Sequence, residues 1–329
     1  MIVHRPLQAG GKPDRGNTKT AVVRGIEPVS LENEFKSGFI AIIGRTNVGK
    51  STLLNRIMGR KIAIMSDKPQ TTRNKILGVL TREHFQAVFL DTPGVHKPKH
   101  ELGERLVKTA LGTLREVDLV LFLVEADHPP GTGDRFIAGR MEGLRTPVLL
   151  VINKIDLIKR DELLERIEAY SSLYPFAGVV PVSALKGENV ERLVEVIVSH
   201  LEPGPQYYPS DMVTDKPEAF VMSELIREKV LLLTSQEVPH SVAVVIEELE
   251  ERPGDVVLVR AVIYTEKESQ KGILIGKGGQ MLKTIGKLAR EEIEALFGSR
   301  IYLELWVKVK PGWRKNKAYL ASFGYKGED

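Results

Sequence analysis

The sequence of 329 residues contains no cysteine. Disulfide bridges, thiol nucleophiles and zinc sites built on thiolates are therefore excluded. The net charge is also small, at +4. The overall charge therefore does not indicate a nucleic-acid partner, and only the local distribution of charge is informative.

Long apolar segments are missing as well. The longest candidates, residues 119–124 and 148–152, are too short to span a bilayer and are typical of buried strands. The beginning of the chain lacks the apolar core of a signal peptide. We therefore expect a soluble protein. A content of 42% hydrophobic and 27% charged residues is that of a globular chain, here long enough for two domains.

The order of apolar and polar segments predicts two domains. Over residues 37–204, short apolar runs alternate with helical segments, which predicts an α/β domain with a mostly parallel sheet. Two of these runs are close enough for a hairpin, so one sheet edge should be antiparallel. Residues 218–329 follow the order helix–strand–strand–helix–helix–strand, which predicts a smaller α+β domain with a basic C-terminal tail. The proline-rich residues 205–217 predict an extended linker, and residues 1–36 a flexible extension.

The strongest motif is a phosphate-binding loop. The segment GRTNVGKS, residues 44–51, matches G-x-x-x-x-G-K-[ST] and lies between an apolar strand and a helix-like segment, as that motif requires. Its glycines let the backbone turn N–H groups toward phosphate oxygens, and the helix start adds the positive end of its dipole. Lys50 is expected to reach the β- and γ-phosphates, and the Ser51 hydroxyl to bind Mg²⁺. Nucleotide contacts are expected from Gly44, Asn47, Val48, Gly49, Lys50, Ser51 and Thr52.

A second loop predicts that the base is guanine. The segment NKID follows the apolar run 148–152, and its Asp156 carboxylate can accept hydrogen bonds from both N1–H and the exocyclic amine of guanine. Adenine lacks that pair of donors, so the acceptor would be left unpaired. Asn153 is expected to tie this loop to its neighbours and Lys154 to lie along the base. Ser183-Ala184, after a further strand, is expected to offer a backbone N–H to guanine O6.

Two segments between these loops predict a nucleotide-sensitive switch. In Asp91-Thr92-Pro93-Gly94, the carboxylate is expected to bind Mg²⁺ through water and the Gly94 N–H to contact the γ-phosphate. In QTTR, one of Thr71 and Thr72 should close over Mg²⁺ when GTP is present, and we favour Thr72. Loss of the γ-phosphate would release both segments. The predicted metal ligands are Ser51, Thr72 and Asp91.

The hydrolytic machinery lacks one expected part. GTPases of the Ras type place a glutamine after the D-x-x-G glycine to orient the attacking water, but Val95 stands there and cannot hydrogen-bond a water. Asn47 is a candidate ligand for K⁺ that would stabilise charge on the γ-phosphate; bracing of the loop is an equally good interpretation. The predicted catalytic residues are Lys50, Thr72, Gly94 and Asn47.

The second domain carries a G-x-x-G loop, Gly276-Lys277-Gly278-Gly279, between two predicted helices. In a KH module such a loop clamps the backbone of single-stranded nucleotides. Residues 267–317 contain twelve Lys and Arg but only five Glu, an excess of +7. Such an excess is expected where a protein binds phosphates, and a solvated basic face is the alternative interpretation. Trp313, beside Arg314, suits either base stacking or packing of the last strand.

Taken together, these segments resemble the Era GTPases. The resemblance is carried in order by GRTNVGKS, QTTR, DTPGVHKPKHELGE, NKID, VSA, SQKGILIGKGGQMLK and VKVKPGWR, and it covers the chain from Lys36 onward. It implies a TRAFAC-class GTPase domain joined to a type II KH domain. Carried over by motif, RNA would be held by Gln270, Lys271, Gly276, Lys277, Gly278, Gly279, Lys283, Trp313 and Arg314.

The resemblance also implies partners and a location. The expected partner is small-subunit (16S) rRNA near its 3′ end, and the expected role is maturation of the small ribosomal subunit. We further expect a cytoplasmic monomer with some peripheral association with the inner membrane. The usual Arg-Pro-Asn of the phosphate loop is Arg45-Thr46-Asn47 here, which relaxes a fixed φ but keeps every proposed ligand.

Two other classes of protein share part of this pattern. A P-loop kinase or ATP-driven enzyme would share the phosphate loop, but NKID argues against it. A membrane-associated GTPase would turn its basic C-terminal region toward anionic lipid instead of RNA.

Overall fold

The computed structural model describes residues 34–66, 68, 76–91, 112, 114, 116–235 and 237–324, apart from the side chains of His240 and Lys317. The predicted N-terminal extension lies almost wholly outside these residues. The QTTR and Thr92–Gly94 segments lie outside them entirely.

The front domain is built on a sheet in which the described strands follow the order β2-β3-β1-β4-β5-β6. All neighbouring pairs are parallel except β2 and β3, so the predicted parallel sheet with one antiparallel edge is confirmed. Strands β1, β4 and β5 are buried because they are continuous apolar runs covered on both faces. The strands are β1 Lys36–Gly44, β2 Ile76–Arg82, β3 Phe85–Asp91, β4 Leu119–Glu125, β5 Val148–Asn153 and β6 Gly178–Pro181.

Helices cover both faces of this sheet. One face packs a core that includes Leu53 and Leu193, and the opposite face a core that includes Ile137 and Tyr170. Parallel strands place their carboxyl ends at one edge of a sheet, and the loops at that edge lead into helices. The helices described in this domain are α1 Lys50–Met58, α2 Thr132–Met141, α3 Arg160–Ser171 and α4 Val190–Ser199.

The segment between the domains lies along the sheet edge. We call residues 203–214 the strap. Its Val213 carbonyl accepts a hydrogen bond from Val79 N of β2 (2.9 Å), and Thr214 forms an isolated bridge with Gly78. The buried Gln86 side chain of β3 accepts from the backbone N–H of Tyr207 (2.8 Å). An edge strand is thereby covered, and the predicted linker is extended but attached.

The second domain has the predicted order of helices and strands, with one additional short helix before its first strand and another after its last. Its sheet has the order β7-β8-β9, with β7 and β8 antiparallel and β8 and β9 parallel. A separate apolar core, which includes Ile226, Ile263 and Ile285, joins the sheet to the helices. The elements are α5 Glu218–Leu233, α6 Val238–Ser241, β7 Ala243–Arg252, β8 Val256–Thr265, α7 Glu268–Ile275, α8 Gln280–Phe297, β9 Arg300–Val309 and α9 Lys317–Ser322.

None of the helices in the described parts of the chain combines the length and the apolar character needed to cross a bilayer.

Candidate nucleotide site and nucleic-acid interface

The phosphate loop connects β1 to α1 at the carboxyl edge of the sheet. Gly49 has a φ of +96°, and a Cβ there would lie 2.3 Å from Asn153 Nδ2, so only glycine fits. Helix α1 begins at the next residue, so its first N–H groups point into the loop. The Lys50 ammonium folds back over the loop and donates to the carbonyls of Gly44 (3.2 Å) and Arg45 (2.7 Å). The geometry is that of an anion cradle.

Lys50 has a pKa well below that of an exposed lysine. Its side chain is buried, and burial lowers its pKa to about 8, although the carboxylates of Asp91 and Glu125 act in the opposite direction. An ammonium in such a place gains from a further negative charge, because the anion compensates for the lost hydration. The site is therefore electrostatically suited to a polyphosphate.

Two hard oxygen ligands meet at the start of α1. The Ser51 hydroxyl donates to the Asp91 carboxylate, with 2.9 Å between Oγ and Oδ2, and Asp91 is buried at the end of β3. Hydroxyl and carboxylate oxygens are the donors that Mg²⁺ prefers, alongside nucleotide phosphates and water. These two residues therefore fit a Mg²⁺ ion bound with a nucleotide. Thr72, the third predicted ligand, lies outside the described residues.

Asn153 joins three loops at the base end of the site. Its amide donates to the Val48 carbonyl of the phosphate loop (2.8 Å), and its carbonyl accepts from Ala184 N (2.9 Å). The carboxylate of Asp156 accepts from the Ser183 hydroxyl at 2.6 Å, which fixes one of its oxygens. The arrangement brings together the residues predicted from NKID and from the Ser183-Ala184 segment.

Three charged residues of this site were not identified from the sequence. Glu125 accepts from the guanidinium of Arg45 (3.1 Å) and contacts the ammonium of Lys154, and Arg45 also donates to Asp134 (2.9 Å). A sequence signal was present, since Glu125 ends a buried strand just as Asn153 does and the two are neighbours in the register of β4 and β5. A polar residue at that position faces the loops of a parallel sheet.

The G-x-x-G loop connects α7 to α8 and has positive φ at each of its glycines: +71° at Gly276, +59° at Gly278 and +78° at Gly279. The side chain of Lys277 is exposed on it, as is that of Lys283 one turn further on. Beside the loop lies a groove of about 620 Å³ with mostly apolar walls, formed by Leu233, Gly276, Lys277, Gln280, Met281 and Thr284. Such a groove can admit bases while the loop contacts their phosphates.

Two predicted RNA contacts belong to the protein interior instead. Trp313 is fully buried, donates from its indole N–H to the Ser241 carbonyl (3.0 Å) and packs against Phe323, so the packing interpretation is the correct one. Gln270 is also buried, because its carbonyl accepts from the N–H groups that precede α7. Both were wrong as surface ligands in this structure.

The remaining cations predicted to contact RNA differ in their surroundings. Arg314 is ion-paired with Glu266, whereas Lys271 is half-buried on α7. The basic excess is therefore partly neutralised by Glu266 at Arg314, while Lys277 and Lys283 stay exposed at the G-x-x-G loop.

Family models define the class of the protein. A model described as a 50S ribosome-binding GTPase matches residues 39–154, and one described as a KH domain matches residues 237–314. Those two matches make the chain a P-loop GTPase fused to a KH domain.

Individual relatives define the family. The GTPase Era of Heliobacterium modesticaldum is 56% identical over 292 residues, which is 89% of this chain and 98% of that relative. The chain therefore belongs to the Era family, and it is a GTPase that binds GTP and GDP.

Solved structures agree with this assignment. A crystal structure of Era in complex with MgGDPNP and nucleotides 1506–1542 of 16S ribosomal RNA is 42% identical, with a TM-score of 0.86, and the match covers 88% of this chain and 99% of that one. An Aquifex aeolicus Era variant bound to GDP·AlF4⁻ is 41% identical, with a TM-score of 0.85 and the same coverage.

Proposed function

We propose that this GTPase is a molecular switch that binds 16S rRNA near its 3′ end and assists maturation of the small ribosomal subunit. The observation that carries the RNA partner is the G-x-x-G groove with its accessible lysines, in a chain whose relative was crystallised with that RNA segment. A phosphate-contacting loop beside an apolar groove suits single-stranded RNA, where bases enter the groove and the backbone passes the glycines.

Nucleotide binding is proposed to follow the geometry of the front site. The ammonium of Lys50 would leave the carbonyls of its own loop for the β- and γ-phosphates. Ser51 and Asp91 would hold Mg²⁺ with Thr72, and the Asp156 carboxylate would pair with guanine. A bound Mg²⁺ ion would neutralise charge that develops on the transferred phosphoryl group. The Gly94 N–H would contact the γ-phosphate.

Selectivity for guanine can be tested at Asp156. Replacing it with Ala removes the acceptor for both guanine hydrogens, so GDP affinity should fall by at least about 100-fold while ADP affinity stays as weak as before. Equal loss for both nucleotides would show that the residue supports the fold of the loop and does not read the base.

We propose K⁺ as a further activator through Asn47, which has a left-handed φ of +68° on the phosphate loop. A monovalent cation there would stabilise negative charge on the γ-phosphate. It would thereby support hydrolysis in a site that has Val95 in place of the water-orienting glutamine. Hydrolysis should then be faster in KCl than in NaCl at equal ionic strength. Equal rates in the two salts would leave Asn47 with the bracing role alone.

Coupling between the domains is proposed to run through an ion-pair network next to α1. Lys61 Nζ lies 2.5 Å from Glu228 of α5 and also contacts Glu292 of α8. Lys229 contacts the same two carboxylates. The backbone N–H of Met65 donates to Glu228 as well (2.7 Å). Helix α8 begins at the G-x-x-G loop, so the network connects the front domain to the helix of the RNA clamp.

The front end of this network is held by the phosphate-loop helix. Asn55 of α1 accepts from the N–H groups of Ile62 and Ala63 and donates to the Ala63 carbonyl (2.7 Å). The segment that carries Lys61 therefore follows α1 closely, and the predicted switch segment begins a few residues later in the chain. Such a contiguous set of contacts is a physical route by which nucleotide state can alter the RNA clamp.

RNA crosslinking with GTP, with GDP and without nucleotide tests the switch. The Gly278→Asp variant should lose crosslinks through repulsion of phosphate, and aspartate tolerates the left-handed backbone of this open position. The matched control is Gly278→Asn, which has the same shape without the charge and should retain most crosslinks. Crosslinks that respond neither to nucleotide nor to Gly278→Asp would contradict the proposal.

We further infer a cytoplasmic location, because the proposed rRNA partner is there, and a monomer with a peripheral contact at the inner membrane. The domain limits proposed are residues 37–204, 205–217 and 218–329.

A competition experiment distinguishes an RNA-binding surface from a lipid-binding surface. If the rRNA segment displaces the protein from anionic vesicles and the vesicles do not displace it from the rRNA, the basic surface binds RNA.

A further inference from the structure

One carboxylate joins the two ends of the nucleotide site. Glu125 is the last residue of β4, and its side chain is only 13% exposed. One of its oxygens accepts from Arg45 Nη2 (3.1 Å), and the other contacts Lys154 Nζ. Arg45 is the second residue of the phosphate loop, and Lys154 is the second residue of NKID.

Arg45 is fixed by a second carboxylate. Its Nε donates to Asp134 Oδ1 (2.9 Å), and Asp134 is fully buried at the start of α2, where its other oxygen accepts from Gly131 N (2.9 Å). A guanidinium that donates to two carboxylates in different directions has little rotational freedom, because its donors form a rigid fork. The phosphate loop is therefore attached to both β4 and α2.

The attachment is rigid because Glu125 stands on a central strand. Its backbone pairs in register with Asn153 of β5, and Asn153 holds the phosphate loop from the other side through Val48. An ion pair of exposed side chains would contribute little, but this carboxylate is mostly excluded from water and serves two cations. Groups held by strands position a ligand more accurately than groups held only by loops.

We propose that Glu125 is a positioning residue that keeps the phosphate loop and the guanine loop at the separation one nucleotide requires. It would act through Arg45 and Lys154 and not touch the reacting phosphate. Without its charge, each half of the site would persist and Asn153 would still join them through Val48, but the separation of the two halves would be less firmly fixed. Affinity for a ligand that spans both halves should suffer, whereas pyrophosphate, which occupies only one, should be little affected.

The test uses Glu125→Gln, which keeps the shape and removes the charge, with the exposed Glu165→Gln of α3 as the matched control. We expect the dissociation constant for GDP and the KM for GTP to rise about tenfold, the size of one lost charge-assisted hydrogen bond. The kcat at saturating GTP and the inhibition constant of pyrophosphate, corrected for each variant's own GDP affinity, should stay within about twofold. The control variant should match the wild type.

Two other results would overturn the proposal. A lower melting temperature with unchanged GDP affinity would assign Glu125 to stability alone. A reduced kcat with unchanged KM would make it part of the chemical step. Should Glu125→Gln fail to fold, Arg45→Lys keeps the charge but cannot reach both carboxylates, and it must raise the GDP dissociation constant in the same way; an unchanged value there also rejects the idea.

A double-mutant cycle tests whether the effect passes through Arg45. If Glu125 acts by holding Arg45, then Arg45→Ala combined with Glu125→Gln should raise the GDP dissociation constant by clearly less than the product of the single effects. Effects that simply multiply would mean that the two residues act independently, contrary to the proposal.

Discussion

At the scale of single residues, the most informative group is Lys50. Burial lowers the pKa of its ammonium to about 8 in the nucleotide-free protein, against 10.5 in an exposed lysine. The charged form is therefore disfavoured by the fold and favoured by phosphate. The same desolvation that lowers this pKa makes the site selective for an anion.

This shift predicts proton uptake on nucleotide binding. Near pH 8, where free Lys50 is half protonated, phosphate should raise its pKa and draw about half a proton per GDP from the buffer. GDP affinity should weaken as pH rises through about 8, because the free protein then has to gain a proton to bind. Calorimetry in buffers of different ionisation enthalpy measures the uptake.

The comparison variant for this prediction is Lys50→Arg, whose guanidinium stays charged. Whatever its absolute affinity, its binding should carry no proton uptake near pH 8. Identical uptake in the variant and the wild type would mean that another group takes the proton.

At the scale of elements, two glycines of the G-x-x-G loop, Gly276 and Gly278, differ in kind. Gly276 has a φ of +71°, and a Cβ there would lie 2.8 Å from Met281 Cβ and 3.0 Å from Met281 N. At Gly278, with a φ of +59°, a Cβ would meet nothing within 4 Å. Gly276 is therefore required by both space and backbone conformation, and Gly278 by conformation alone.

This contrast predicts different costs for alanine. Gly276→Ala should lower the free energy of unfolding by about 3 kcal/mol or more, and Gly278→Ala by about 1 kcal/mol. Urea denaturation of the two variants measures the difference. Equal losses would mean that Met281 moves away without cost.

The strap depends on Gln86 of β3. Its carbonyl accepts from Tyr207 N and Tyr208 N, and its amide donates to the Tyr208 carbonyl and to Thr81. Gln86→Leu should lower stability by about 2 kcal/mol, because these groups lose partners at a partly buried site. Proteolysis within the strap should become faster.

The control for Gln86 is Gln206→Leu, which removes an exposed amide that reaches the same Tyr208 carbonyl. It should change the free energy of unfolding by less than about 0.5 kcal/mol. If both variants are equally stable, the strap is not held by the buried amide.

What the sequence could predict follows from how local each signal is. The strands Val256–Thr265 and Arg300–Val309 occupy their predicted places in the order of elements, because alternation and turn residues are short-range properties. Trp313 could not be assigned, since its partner Ser241 is 72 residues away. The strap was predicted as an extended linker, but its attachment could not be predicted, because Gln86 precedes its partner Tyr207 by 121 residues. Glu125 was visible as a polar residue after a buried strand, but its partners were not.

At the scale of the whole molecule, Lys61 is the testable link between domains. Lys61→Met would leave Glu228 and Glu292 to share Lys229. The variant loses the ion pairs by which Lys61 of the front domain holds Glu228 and Glu292 of the second domain. The difference in RNA affinity between the GTP-analogue and GDP forms should therefore shrink at least about threefold. GDP affinity itself should not change, because Lys61 lies outside the nucleotide site.

The matched control for Lys61 is Lys159→Met, which removes an exposed lysine of the same domain. RNA affinities are measured by filter binding in each nucleotide state. A nucleotide-dependent difference that survives in Lys61→Met would place the coupling elsewhere in the chain.

The attachment of the strap also sets how far apart the domains can travel. Thr214 is bridged to the front sheet, and helix α5 begins at Glu218, so only residues 215–217 separate an anchored point from the second domain. Fully extended, three residues reach about 10 Å. The start of the second domain can therefore move only about this far from the anchored point, so a contact between the domains that opens can re-form without a diffusive search.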